Sequence, residues 1–122
     1  MDLKEENNKF LQLNNKLEID EFCYNNLKCV LVILMKNDRP SIKAMHALEN
    51  IKEEKYQNIN YGLIKVSNPL VHKKLRHLGI EQIPTFISFY KGIEFNRYSG
   101  SLIDSINSIF EDIDNQGFVS FK

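Results

Sequence analysis

The apolar run at residues 29–35, Cys-Val-Leu-Val-Ile-Leu-Met, constrains the fold of this chain more than any other feature. It is too short for a buried helix, and it is rich in β-branched residues, which favour strands. Apolar side chains on both faces of a strand are typical of a sheet that helices cover on both sides. We therefore predict a central strand that is buried on both faces.

Helical and strand patterns alternate around this run. The sequence predicts, in chain order, a short edge strand at 10–13, a helix at 19–27, the central strand, a helix capped by Asp38, a strand at 59–66, a helix at 69–78, a hairpin of two strands at 84–98 and a helix at 102–113. Such alternation implies parallel pairing with right-handed crossovers, and the late hairpin adds an antiparallel edge. The order β-α-β-α-β-α-β-β-α thus predicts an α/β domain, a mixed central sheet with helices on both faces.

Three local patterns make this prediction more specific. After Asp38, apolar residues recur at helical spacing and predict the buried stripe of that helix: Ile42, Met45, Leu48 and Ile51, with Ala44 and Ala47 beside them. Phe22, Cys23 and Leu27 are expected to be the buried residues of the first helix. Ser101 and Asp104 resemble a capping box at the start of the last helix, which would bury Leu102.

Pro84 directly precedes a strand with apolar residues on both parities, Phe86, Ile87 and Phe89, and that strand ends at the turn Lys91-Gly92. A proline has no backbone donor, so it must lie at the start of such a strand.

The segment Ile83-Pro84-Thr85 with its hairpin, preceded by Gly79 and followed by Gly100, resembles the cis-proline segment of the thioredoxin family. Together with the element order, the likeness covers residues 10–113 and implies a thioredoxin-like fold.

Thioredoxins carry a CxxC motif where the buried strand meets its helix, and this chain has Asp38-Arg39-Pro40-Ser41 at that junction. Pro40 matches the family proline, whereas Asp38 and Ser41 stand in place of the attacking and resolving cysteines. Val32 stands where the family often has a proton-relaying acid. Because thiol–disulfide exchange needs a thiolate and a second thiol, the resemblance implies a degenerate, non-catalytic site in which Asp38 only caps a helix.

The residue before the cis-proline offers its backbone to extended peptides in thioredoxins, and such pairing needs no cysteine. The resemblance therefore implies that Ile83, Pro84 and Thr85 bind a peptide, the alternative being that the proline only shapes its turn. The exposed Arg39 beside them would either pair with an acidic partner or remain solvated. We predict a non-catalytic peptide- or protein-binding module without cofactor or metal.

Two cysteines, Cys23 and Cys29, are present, and no CxxC pair exists. Free cysteines are commonly buried, so we expect both in the core, although a disulfide across the Asn25-Asn26 turn is geometrically feasible. One alternative function is therefore a thiol–disulfide oxidoreductase in cell redox homeostasis that uses Cys23 or Cys29. A second is a cofactor in folding or signalling that resembles the phosducin-like proteins.

Length and composition set the outer limits. A chain of 122 residues suits one domain, which we place at 9–114 between a mobile segment at 1–8 and a tail at 115–122 that contains Phe118 and Phe121.

The zero net charge of the chain gives no electrostatic reason to expect nucleic acid as a partner. No apolar run is long enough for a membrane helix, and the polar start is unlike a signal peptide, so we expect a cytoplasmic protein if that start is native. The basic cluster at 72–77 is expected to be a solvated face, the alternative being an anion-binding site. His72 and His77 are five positions apart and do not lie on one helical face, as a metal-binding pair would. The oligomeric state stays open.

Overall fold

The computed structural model describes residues 10–117, so the predicted mobile segment at 1–8 and the tail aromatics Phe118 and Phe121 lie outside the described residues. The strands are β1 Phe10–Gln12, β2 Lys28–Leu34, β3 Asn60–Lys65, β4 Thr85–Tyr90 and β5 Ile93–Ser99. The α-helices are α1 Lys16–Asn25, α2 Arg39–Glu54, α3 His72–His77 and α4 Ile103–Asp114, and a 3₁₀ turn at Pro69–Val71 leads into α3.

The five strands form one sheet in the order β1-β3-β2-β4-β5. The pairs β1–β3 and β2–β3 are parallel, whereas β4 is antiparallel to both β2 and β5. The predicted element order and the mixed sheet are confirmed. Strand β2 is apolar on both faces because it has a strand on each side and helices pack on both faces of the sheet.

Alternate residues of β2 belong to two separate cores. Val30 and Val32 pack with residues of α2 and α4 on one face of the sheet. Cys29, Leu31 and Ile33 pack with residues of α1 and α3 on the other face. All five are fully buried. The two layers of helices explain why no position from 29 to 33 is polar.

The buried stripe of α2 differs from the predicted one at its start. Ala44, Leu48 and Ile51 are buried as expected, but Ile42 is 49% exposed and Ser41 is only 2% exposed. Residue 41 is three positions before Ala44 and lies on its helical face, whereas residue 42 is rotated by about 100° from it. The apolar spacing therefore predicted the wrong buried residue at the start of α2, because the residue that faces the core there is the polar Ser41.

The N-terminus of α4 is also not built as predicted. Leu102 is the N-cap residue, no side-chain cap bond is formed there, and Leu102 is 61% exposed. Its backbone N–H instead donates to the hydroxyl of Tyr98 on β5, at 3.0 Å. The predicted Ser101–Asp104 capping box is wrong, because a tyrosine from the preceding strand satisfies the first donor at this end.

The first helix begins and ends earlier than the predicted 19–27. Asn15 is its N-cap, and the Asn15 side chain accepts a hydrogen bond from the Glu18 N–H at 2.9 Å. Phe22 and Cys23 are buried as expected. Leu27 lies beyond the helix and is 58% exposed, so the prediction that it contributes to the core is wrong.

Candidate functional site

One edge of the sheet holds both segments that the sequence singled out. Strands β2 and β4 are antiparallel, and Ile33 near the end of β2 pairs with Thr85 at the start of β4. The chain that leaves β2 toward α2 and the chain that enters β4 through Pro84 are therefore neighbours. The junction Asp38–Ser41 and the Pro84 loop lie at this common edge.

The junction is closed by hydrogen bonds among three residues. The Asp38 carboxylate, at the N-cap of α2, accepts from the Ser41 backbone N–H at 3.1 Å and from the Ser41 hydroxyl at 2.9 Å. The Ser41 hydroxyl in turn accepts from the Met35 backbone N–H at 3.0 Å. The Ser41 side chain is thus buried and uses its hydroxyl both as donor and as acceptor.

This arrangement stabilises a helix end and offers no redox chemistry. A carboxylate at an N-cap satisfies a free helix donor and interacts favourably with the helix dipole. Val32, below the junction in β2, is fully buried and has no exchangeable proton. No sulfur atom is present at positions 38 to 41. Asp38 and Ser41 therefore cannot form, break or resolve a disulfide.

The Pro84 loop is fixed to the end of β5. The peptide bond before Pro84 is cis. The Pro84 carbonyl accepts from the Gly100 N–H at 2.9 Å. The hydroxyls of Thr85 and Ser99 lie 2.7 Å apart and form a hydrogen bond. Pro84 and Thr85 are buried, so their polar groups are committed to the fold.

Ile83 differs from its two neighbours. Its side chain is only half-buried and packs at the border of the core on the α1 and α3 side. Within residues 10–117, neither its backbone N–H nor its carbonyl makes a hydrogen bond. Of the three residues predicted to bind a peptide, Ile83 alone presents an unpaired backbone at the sheet edge.

An apolar pocket of about 330 Å³ lies on the other side of the junction. Met35, Ile42 and Met45 contribute to its lining, together with Lys36 and Lys65. Lys65 is the last residue of β3, and β3 and β4 flank β2 on opposite sides, so this pocket and the Pro84 loop flank Asp38–Ser41. Sequence reasoning missed it, because Ile42 and Met45 were assigned to the core.

The two cysteines lie at the opposite end of the sheet. Cys23 is in α1, and Cys29 near the start of β2 pairs with Phe89 near the end of β4. Both are buried, free thiols. The expected core position is therefore observed, and no disulfide joins them. Cys29 is four positions before Ile33 along β2, which places it about 13 Å from the level of Thr85.

The predicted solvated face at 72–77 is partly engaged. The Lys74 ammonium forms a 2.7 Å ion pair with Asp20 of α1, and the His72 ring hydrogen-bonds to the Val66 carbonyl. Among residues 10–117, no three His, Cys, Asp or Glu side chains are grouped so that they could bind a metal ion. In the same part of the chain, no helix is long and apolar enough to cross a membrane.

Solved structures with the same architecture include thioredoxins. Mitochondrial thioredoxin 3 of Saccharomyces cerevisiae superposes with a TM-score of 0.77 at 16% identity, over 84% of this chain and 94% of that chain. Oxidised thioredoxin of Plasmodium falciparum gives 0.75 at 14% identity, over 84% and 96%. A mutant thioredoxin of Entamoeba histolytica gives 0.75 at 19% identity, over 84% and 98%.

The chain therefore has the thioredoxin fold, as its sequence led us to expect. The likeness at these identities concerns the fold alone. No protein-family model and no curated protein matches the sequence.

Proposed function

We propose that this chain is a non-catalytic peptide- or protein-binding module, which binds an extended segment of its partner at Ile83. The observation that carries the proposal is a contrast between two neighbouring segments at one edge of the sheet, the Asp38–Ser41 junction and the Pro84 loop. The position of a dithiol is filled by the Asp38–Ser41–Met35 hydrogen bonds, while the neighbouring Ile83 backbone is unpaired.

An extended peptide is suited to this edge. The N–H and carbonyl of Ile83 provide one donor and one acceptor, which an antiparallel peptide residue satisfies with two backbone hydrogen bonds. Because Pro84 and Thr85 are fixed by Gly100 and Ser99, Ile83 is held in place before a partner binds. Such preorganisation reduces the entropy lost on binding.

The pocket beyond the junction suggests which side chains the partner brings. Met35 and Ile42 are 42% and 49% exposed and line the same pocket, so both offer apolar surface to a partner. Methionine side chains adapt to differently shaped apolar groups. Lys36, Lys65 and Glu49 also line this pocket, so two ammonium groups against one carboxylate leave it with a net preference for negative charge. The preferred partner segment therefore combines an apolar anchor with an acidic neighbour.

The alternative of a thiol–disulfide oxidoreductase needs Cys23 or Cys29 to reach a substrate held at the Pro84 loop. Those sulfur atoms lie at the far end of β2, and Cys29 is fully buried. This separation of both thiols from the peptide-binding edge supports the binding function over the oxidoreductase. A folding or signalling cofactor would use the same binding chemistry with a specific partner.

Selection from a random peptide library against the full chain tests the binding function. We expect enriched peptides to bind the wild type and to bind Pro84→Ala and Ile42→Asp at least about tenfold more weakly, because the loss of a central hot-spot contact typically costs about 2 kcal/mol or more. Tyr24→Ala is the matched control, since Tyr24 is an exposed aromatic residue on α1. Peptides that bind all four proteins equally would refute the assignment of this edge.

An insulin reduction assay with dithiothreitol tests the catalytic alternative. We expect the wild type to match both the protein-free background and the Cys23→Ser/Cys29→Ser double variant. Turnover that exceeds the background and disappears in the double variant would replace the binding function with an oxidoreductase.

A further inference from the structure

Cys23 and Cys29 are adjacent although their sequence shows no redox motif. Five residues separate them, and these include the end of α1 and the start of β2. Both belong to the same buried cluster, and Phe89, the β4 partner of Cys29, lines a pocket together with Cys23. Each thiol shifts the pKa of the other. The two sulfur atoms are therefore close enough to interact directly without any unfolding of the intervening turn.

Only one of the two thiols faces a route from solvent. Cys23 lines a pocket of about 400 Å³, together with Asp20, Glu21 and Lys74. Cys23 is 8% exposed, whereas Cys29 is fully buried behind it. Cys23 is therefore the cysteine that a small molecule in this pocket contacts, whereas Cys29 does not line the pocket.

The surroundings give the two thiols different acidities. The neighbouring Cys29 thiol lowers the pKa of Cys23; burial opposes this effect, the Lys74 ammonium adds to it, and the Asp20 carboxylate opposes it. The neighbouring Cys23 and the burial of Cys29 raise the pKa of the Cys29 thiol. Cys23 is thus the more acidic thiol of the pair. This is the division of roles that a nucleophile and a resolving thiol require.

We propose that this pair is an oxidation site for hydrogen peroxide, in which Cys23 is attacked first and Cys29 resolves the product as an intramolecular disulfide. The site lies at the end of the sheet opposite the peptide-binding edge and does not depend on it. A pocket of about 400 Å³ admits an oxidant as small as hydrogen peroxide. The two carboxylates that line it, of Asp20 and Glu21, outnumber the Lys74 ammonium and disfavour anionic disulfides such as oxidised glutathione.

The reaction is balanced over two steps. The Cys23 thiolate attacks one peroxide oxygen, the O–O bond breaks, and after proton transfer Cys23 is a sulfenic acid and one water has left. The Cys29 sulfur then attacks the Cys23 sulfur, the S–O bond breaks, and the hydroxyl leaves with the Cys29 proton as a second water. Overall two thiols and one hydrogen peroxide give one disulfide and two waters.

Intact mass spectrometry of the folded full chain, after brief exposure to hydrogen peroxide and alkylation in denaturant, tests the proposal. We expect a monomer that is two hydrogen atoms lighter and takes up no alkyl group. In Cys29→Ser, dimedone should trap a sulfenic acid on Cys23, and in Cys23→Ser, Cys29 should stay reduced.

Lys74→Gln keeps both thiols and guards against a cysteine variant that fails to fold. We expect it to slow oxidation by about threefold, because loss of a nearby cation reduces the thiolate fraction. Lys73→Gln is the matched control, since Lys73 is exposed and does not line the pocket.

The proposal is overturned if both thiols stay reduced in the folded wild type, if Cys29 reacts first, or if the oxidation rate follows the unfolded fraction in low urea. Peptide binding at Ile83 is measured separately, so neither result stands for the other.

Discussion

The Ser41 hydroxyl donates a 2.9 Å hydrogen bond to the Asp38 carboxylate at the position where thioredoxins hold two sulfur atoms. The same hydroxyl accepts from the Met35 amide, so it links the end of β2 to the first turn of α2. This small polar network stabilises the start of α2, and it occupies the position where a thioredoxin has its two thiols.

Replacing the cap should lower stability without unfolding the domain. Asp38→Ala removes the acceptor for the Ser41 N–H and hydroxyl, and we expect the free energy of unfolding to fall by about 1 kcal/mol, as for other N-cap deletions. Asp38→Asn keeps a side-chain oxygen and should lose only a fraction of that amount. Urea unfolding followed by circular dichroism measures both. An equal loss in the two variants would show that charge, and not the acceptor, is what matters.

The junction should accept a dithiol. In Asp38→Cys/Ser41→Cys the two cysteines lie at the N-terminus of α2, where the helix dipole favours a thiolate. We expect the double variant to reduce insulin with dithiothreitol above the wild-type rate. Each single variant should remain at background, since one thiol cannot resolve its own mixed disulfide. A double variant that forms its disulfide but stays inactive would show that the surrounding edge no longer accepts disulfide substrates.

Asp20 should contribute to stability only above the acid range. Burial alone raises the pKa of its carboxyl, but hydrogen bonds and charges from Lys16 and Lys74 outweigh burial and leave that pKa below 3.8. A carboxyl whose pKa is lower in the folded state binds protons more readily when unfolded, so acid favours unfolding. The stabilising contribution is full well above pH 3.8 and is lost as the pH falls below it.

Asp20→Asn tests that pH dependence. At pH 7 it should lower the free energy of unfolding by less than about 1 kcal/mol, because partly exposed ion pairs contribute little. The difference from the wild type should shrink at pH 3 and below. Urea titrations at several pH values give the comparison, and a difference that grows in acid would contradict the assigned direction.

Gly62 should not tolerate a side chain. A Cβ atom there would lie 2.5 Å from Leu13 Cδ1 and 3.1 Å from Phe22 Cε2. Overpacking of this kind costs about 1–3 kcal/mol, and we expect Gly62→Ala to lose that much stability in urea. Adding Leu13→Ala to it relieves the closest contact, so the double variant should be destabilised by less than the sum of the two single ones. If the losses of stability in the two single variants add exactly in the double variant, the clash does not involve Leu13.

The parts of the fold that sequence predicted are those that local chemistry controls. The both-face burial of β2 follows from its unbroken apolar run. The turns at Gly79, Gly92 and Gly100 all have positive φ, at 72°, 81° and 143°, a conformation that favours glycine. The polar character of the Asp38–Ser41 junction was also evident from residue types alone.

The features that sequence reasoning missed depend on contacts between distant residues. Periodicity could not show that Ser41 points inward, because its burial depends on the Met35 amide at the end of the preceding strand. Tyr98, whose hydroxyl accepts the hydrogen bond from the Leu102 N–H, is on β5 and not on α4. The pairing of Lys74 with Asp20, beside Cys23, joins α3 to α1, and a basic run gives no indication of which acid it will meet.

The Asp38–Ser41–Met35 network also limits how this chain can change by mutation. A cysteine at 38 alone removes the cap carboxylate, and a cysteine at 41 alone replaces a strong donor and acceptor by a weak one. Each first step lowers stability, and neither yields a working redox pair. Any path of single substitutions from this network to a dithiol therefore passes through less stable intermediates without redox activity, so selection for stability alone disfavours cysteine at both positions.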